Sequence, residues 1–333
     1  MAHTGKITIR EVAHLADTSK TTISFYLNGK MEKMSEKTRQ KIEKVIKETN
    51  YKPSIAARSL NLKGSKLLGI MIGDITNTFS NQIVKGIENV ASQKGYQLIV
   101  ANSNYNYARE ENYIDRMSSM GVDGFIVQPT IQFKEINKKI KKPMVFFDSN
   151  VYDDKTKWVK TNNYEATYEA TVACINKGYK EFILITAEPS LLSTRIERTS
   201  GYIDALLEHD LGYEKLIVED NDIEISEKIL SFLVKHVNEK EKQLIFVPNC
   251  WALPMVFMAL KKYYHLMPDL GLMGFDNTEW TNFATPSITT IVQPAFKEGQ
   301  QAASILIDQI ECENDKSGQQ VLNCIVNWNE STL

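Results

Sequence analysis

The sequence predicts an α/β protein that carries a small all-helical head. Two observations predict it. From Leu67 onward, short apolar runs alternate with amphipathic stretches, the pattern of buried parallel strands covered by helices. Before that point the chain shows only short capped helices, and its charge differs. Residues 1–66 hold 14 Lys and Arg against 6 Asp and Glu, whereas the rest holds 25 against 35. The formal net charge of −2 conceals this asymmetry. A basic head on an acidic body implies a polyanionic partner for the head alone, although a solvated lysine-rich helix surface would leave the same count.

The head reads as three helices. Thr8 and Glu11 form a capping box that opens a helix through about Ala16, with Ile9, Val12, Ala13 and Ala16 on its apolar side. Asp17-Thr18 breaks that pattern. Ser19 caps a second helix, KTTISFYLN, which Gly29 closes in a left-handed conformation. Ser35 caps a third, whose Ile42, Val45 and Ile46 face inward. Two short helices joined by a tight turn and braced by a third describe a helix-turn-helix unit.

In such a unit the second helix enters the DNA major groove, so its polar face has a use beyond solvation. Lys20, Thr21 and Thr22 stand at the entering end. Ser19, Ser24 and Asn28 are placed to hold the DNA backbone, while Ile23 and Leu27 point into the core. Simple capping accounts for Ser19 but poorly for the whole face. Beyond Tyr51, Pro53-Ser54 starts a brief stretch, IAARSL, too short to be a stable helix alone.

The body repeats one cycle. LLGIMIG, YQLIVAN, GFIVQP and PMVFFDS form a first set of strands; EFILIT, KLIVED, QLIFVPN and LGLMGFD form a second. Two sets imply two doubly wound subdomains. Many strands end in a polar group: Asp74, Asn102, Gln128, Asp148, Asn249 and Asp276. Open α/β sheets bind ligands beyond the carboxyl ends of their strands, so two facing sheets would gather these groups around one cleft. Such residues also end strands merely because they start turns.

Composition excludes other classes. The chain has 333 residues, 43% hydrophobic and 24% charged, enough for two or three domains. Cys174, Cys250, Cys312 and Cys324 are scattered without CxxC pairing, so no metal site or disulfide framework is expected. No apolar run approaches the roughly 18 residues of a membrane span, and the N-terminus shows no apolar signal segment. A cytoplasmic protein without a membrane partner is expected. There is no GxSxG elbow, HExxH, P-loop or GxGxxG after a strand, and the five histidines are dispersed. No enzyme and no cofactor are expected.

ITIREVAHLADTSKTTISFYLNGK, with MSEKTRQKIEKVIKETNYKPSIAARSL after it, resembles the N-terminus of the LacI/GalR family of bacterial transcription regulators, and the resemblance extends along essentially the whole chain. It implies a DNA-binding domain at 1–61, including a hinge helix at about 53–61. In that hinge Leu60 wedges into the minor groove, and Ala56 and Ala57 allow close approach. It implies a periplasmic-binding-protein-like core at 66–333. The first subdomain would take about 66–163 and 292–321, the second about 164–291 and 322–333. A small-molecule effector would lie between them, contacted by Phe79, Ser80, Asp148, Thr194, Arg198, Asn249 and Asp276. Two departures stand out. Phe25 occupies a position where the family usually has arginine, and phenylalanine offers only apolar contact, for example to a thymine methyl. Cys250 follows Asn249 where aspartate is common.

The expected function is a repressor of carbohydrate or sugar-acid genes, binding double-stranded DNA at an inverted-repeat operator as a homodimer. NSNYN, VQPT, WVKTNNYEA and FYLNGK resemble regulators of ketodeoxygluconate and uronate use, which makes 2-keto-3-deoxygluconate, or another sugar or sugar acid, the expected effector. The alternatives are a core that senses a phosphorylated carrier protein, and a transporter's solute-binding protein. The basic head counts against the second.

Overall fold

A computed structural model describes residues 7–51, 64–149, 156–189, 192–219, 222–312 and 318–332. The chain divides into two compact units, Met1–Ser65 and Lys66–Leu333.

The head contains α1 (Ile9–Leu15), α2 (Lys20–Leu27) and α3 (Glu36–Thr49). The capping box is present: Thr8 N–H donates to Glu11 Oε2 at 2.7 Å, and Glu11 N–H donates to Thr8 Oγ1 at 3.4 Å. The turn between α1 and α2 is a Schellman motif, with Thr18 N–H donating to Ala13 O and Asp17 N–H to His14 O. Asp17 takes the left-handed position there at φ +49°. Gly29 fills the same position after α2 at φ +71°, with Lys30 N–H reaching Phe25 O. Val12, Ala13, Ala16, Ile23, Ile42 and Tyr51 form the core, with Leu27, Val45 and Ile46 against it. The expected hinge residues Ala56, Ala57 and Leu60 lie outside the described residues.

The second unit holds two six-stranded sheets. The first has the order β11-β5-β4-β3-β1-β2, from β1 (Leu67–Ile72), β2 (Gln97–Asn102), β3 (Gly124–Val127), β4 (Met144–Phe147), β5 (Lys157–Thr161) and β11 (Gln319–Leu322). The second has the order β12-β10-β9-β8-β6-β7, from β6 (Glu181–Thr186), β7 (Glu214–Ile217), β8 (Gln243–Val247), β9 (Leu270–Phe275), β10 (Thr289–Val292) and β12 (Ile325–Asn327). β1, β8 and β9 are buried along their whole length, because helices cover both faces. On the first sheet, α4 (Thr78–Gln93) and α12 (Ala295–Cys312) cross so closely that a Cβ on Gly86 would lie 2.1 Å from Phe296 O. One on Gly299 would lie 2.2 Å from Ile83 O. No side chain larger than hydrogen fits at that crossing.

The chain passes between the sheets three times: from β5 into α7 (Asn163–Asn176), from β10 into α12, and from β11 into β12. β12 runs antiparallel to β10, a departure from wholly parallel sheets. Both sheets direct their carboxyl ends to the junction, so a strand arriving straight from the first sheet must enter the second from that end.

Candidate functional site

Two surfaces carry chemistry. In the head, caps occupy several of the hydroxyls expected to face DNA. Ser19 Oγ accepts Thr22 N–H at 3.1 Å and lies 2.9 Å from Thr22 Oγ1; Asn28 Nδ2 donates to Ser24 Oγ at 3.3 Å. Lys20 and Thr21 are exposed at the start of α2, and their side chains have no partner among the described residues. Phe25 is half-buried yet is not part of the apolar core, whereas its neighbours Tyr26 and Leu27 pack against that core. The face of α2 that carries Phe25 is therefore not the face that holds the head together.

In the second unit a cavity of about 620 Å³ opens where the two sheets' carboxyl ends meet. The strand-end groups Asp74, Asn102, Gln128, Asp148, Asn249 and Asp276 all line it. Phe79, Thr194 and Arg198 line it too. Ser80 does not. α-Helical residues are separated by about 100°, so when Phe79 faces the cleft its neighbour turns into the packed interior. Ser80 is fully buried, and its hydroxyl has no partner among the described residues.

Arg198 sits on α8 (Ser193–Leu207). Its Nε donates to Asn163 Oδ1 at 2.9 Å, Nη1 to Pro248 O at 3.1 Å and Nη2 to Gln293 Oε1 at 2.9 Å. The guanidinium lies 3.7 Å from the Phe275 ring centroid. Neither Glu197 nor Asp204 pairs with it: Glu197 takes Lys160, and Asp204 accepts from the Tyr164 hydroxyl. Every direct acceptor is neutral. Three of the five guanidinium N–H groups are used, which leaves donors for a ligand in the cavity it lines.

Asp148 ends β4 at φ +53°, and its carboxylate accepts from Gln128 Nε2 at 2.9 Å and Gln293 Nε2 at 3.4 Å. Burial raises its pKa, against the opposing pull of Arg198. Asp276 accepts Thr278 N–H at 2.7 Å and Trp280 Nε1–H at 3.3 Å, so it caps the next turn while also lining the cavity. Burial raises its pKa as well. Asn249 Oδ1 accepts Ala187 N–H at 2.8 Å, which turns its amide nitrogen away from that bond. Burial pushes the Cys250 thiol up to about 11, so it stays protonated on the cavity wall.

The residue that joins these groups was not among those expected. Gln293 follows β10 at a crossover. It accepts from Arg198, and its amide nitrogen donates to Asp148 and to Thr161 Oγ1 at 2.9 Å. Its own N–H donates to Asn277 Oδ1 at 3.0 Å. The rule of polar strand ends would have found it, since Gln293 directly follows the apolar run ITTIV. Asn163, which orients Arg198 from the crossover between β5 and α7, carries no such signal.

A doubly wound pair of subdomains around a polar cleft, preceded by a helix-turn-helix head, is the architecture of a ligand-controlled DNA-binding regulator. Residues 8–54 match the bacterial regulatory proteins of the lacI family, and residues 65–327 match the periplasmic binding proteins and sugar binding domain of the LacI family. This chain belongs to the LacI family. It is 32% identical to the HTH-type transcriptional regulator KdgR of Bacillus subtilis (strain 168), over 96% of this chain and 95% of that protein. A periplasmic binding protein/LacI transcriptional regulator from Alkaliphilus metalliredigens, solved with D-xylulofuranose, aligns at a TM-score of 0.69 and 25% identity, covering 80% of this chain and 99% of that one. A LacI-family regulator from Silicibacter pomeroyi shares the fold at a TM-score of 0.82 and 18% identity, over 98% and 99% of the two chains. The chain is accordingly a transcriptional regulator with a DNA-binding head and a sugar-binding type of core. No helix among the described residues is long and apolar enough to cross a membrane.

Proposed function

We propose that this regulator is a cytoplasmic, non-catalytic repressor that binds an inverted-repeat operator as a homodimer and is released when a sugar or sugar acid occupies the cleft. The observation that carries the reading is Arg198: a guanidinium lining a polar cavity, held by neutral acceptors, with carboxylates of Asp148 and Asp276 on the same walls. Guanidinium and carboxylates together suit a polyhydroxylated ligand, and the guanidinium's unused donors suit a carboxylate on it. Phe79 supplies an apolar wall, Thr194 and Asn249 further polar contacts. The resemblance to KdgR makes 2-keto-3-deoxygluconate the first ligand to test.

In the head, Lys20, Thr21 and Phe25 face the bases, while Thr8, Ser19, Thr22, Ser24 and Asn28 approach the phosphates. Ala56, Ala57 and Leu60 form the hinge that inserts in the minor groove. Effector and operator then affect each other's affinity reciprocally.

The test is a thermal-shift screen of the full chain against 2-keto-3-deoxygluconate, D-glucuronate, D-galacturonate, D-ribose and D-glucose. It is followed by operator binding with and without the ligand that stabilises. Stabilisation with loss of operator affinity is the expected result. A chain that ignores all five, yet binds its operator only with a phosphorylated carrier protein, would replace this reading.

A further inference from the structure

The loop after β2 holds two successive residues in the left-handed region, Asn104 at φ +51° and Tyr105 at φ +53°. Asparagine tolerates that conformation; a tyrosine there is strained, because its Cβ crowds the following carbonyl. The turn is fastened by Ser103, whose hydroxyl donates to Ile72 O and accepts Tyr105 N–H, both at 3.2 Å. Strain of this kind persists only where the surroundings over-determine it. Here the ring lies over the backbone of Gly73, where a Cβ would come within 2.0 Å of Tyr105 Cε1.

Tyr105 lines the same cavity as Arg198. The guanidinium of Arg195, from the other subdomain, stands 5.8 Å from its ring centroid. The phenol lies in the electrostatic reach of Asp148, Asp74 and Cys250. Its hydroxyl makes no hydrogen bond to any described residue. The residue is only partly buried, so its hydroxyl is open to the cavity, where a ligand oxygen can take the place of solvent.

We propose that Tyr105 is a ligand-reading residue of the cleft, its ring forming a wall and its O–H donating to an oxygen of the bound sugar or sugar acid. This rests on the reading of the cleft given above and adds a residue to it. Burial raises the phenol's pKa, so it stays protonated at physiological pH and can donate to a hydroxyl, a ring oxygen or a carboxylate. The strained loop and the bare Gly73 hold the donor in place before the ligand arrives, which lowers the ordering cost of binding.

The experiment uses the full chain and whichever of the five compounds stabilises it, titrated calorimetrically. Tyr105→Phe deletes only an unpartnered hydroxyl. Its unliganded melting temperature and operator affinity should match wild type, while ligand affinity falls about 3- to 10-fold, the worth of one hydrogen bond. Gly73→Ala, whose Cβ would displace the Tyr105 ring, should lower affinity at least as much. Wild-type affinity in Tyr105→Phe overturns the proposal. If Arg198→Ala loses the ligand while Tyr105→Phe keeps it, the cleft reading stands and Tyr105 is merely structural. If none of the compounds binds wild type, both fall.

Discussion

The guanidinium of Arg198 donates to the side-chain carbonyl of Gln293 across 2.9 Å. The pair joins a cleft-lining cation on α8 to the crossover where β10 hands the chain back to the first subdomain. The same guanidinium also donates to Asn163 Oδ1 at the crossover from β5 into α7, so Arg198 is tied to two of the three crossovers.

Arg198→Ala is expected to lower ligand affinity about 10- to 100-fold, since hydrogen bonds to a charged group contribute about 1.5–3 kcal/mol. Operator binding without ligand should be unchanged, because the head is a separate unit. Arg198→Lys should not rescue, because one ammonium cannot meet acceptors on three different elements. Calorimetry and operator titration check both points; wild-type affinity in either variant would contradict the assignment.

Gln293→Leu should destabilise the core by about 1–3 kcal/mol, because it leaves buried partners on Arg198, Asp148 and Thr161 unmet. Urea unfolding of the full chain measures it. The variant should also respond less to ligand at the operator. Normal stability with a normal response would show that the hinge does not depend on this knot.

Glu298 predicts a pH dependence. It is fully buried, its Oε1 accepts Asp148 N–H at 2.8 Å, and its Oε2 has no partner among the described residues. Burial, then the neighbouring Asp148, raise its pKa well above the ordinary carboxyl range. The folded chain thus binds a proton that the unfolded chain releases. The stability contribution is complete below the unfolded value of about 4.3 and is lost as pH rises toward the folded pKa. Asp148 and Asp276, also raised, act in the same direction. Glu298→Gln keeps the acceptor and removes the titration. Its melting temperature should exceed wild type at pH 8 and match it near pH 4.5; parallel profiles would refute the account.

Phe25→Arg tests the head. Phe25 stands apart from the apolar core, so the substitution should leave folding intact. It should shift preference from A·T toward G·C at one symmetric position per half-site, by about 1–3 kcal/mol. Selection on randomised operators with both proteins reads this out. An unchanged consensus with poorer folding would return Phe25 to the core.

The helices of the head were legible because their signals are local. Thr8, Ser19 and Ser35 bond to groups three residues on, and Asp17 and Gly29 close the first two helices within one turn. The cleft was legible in part. Asp148, Asn249 and Asp276 follow apolar runs, and parallel strands deliver their ends to one side. Ser80 was misread because adjacent helical residues point in different directions, and a motif match does not say which one faces the ligand.

The chain's own pattern thus determined the head, the two sheets and the strand ends that meet between them, since caps and periodicity act over a few residues. Only the tertiary structure decided what those ends do to one another. Gln293 and Asn163 reach Arg198 from 95 and 35 residues away, Glu298 reaches Asp148 across 150, and Tyr105 settles on Gly73 from another strand. Such contacts depend on which crossovers bring distant segments together, and no local spacing in the sequence encodes that.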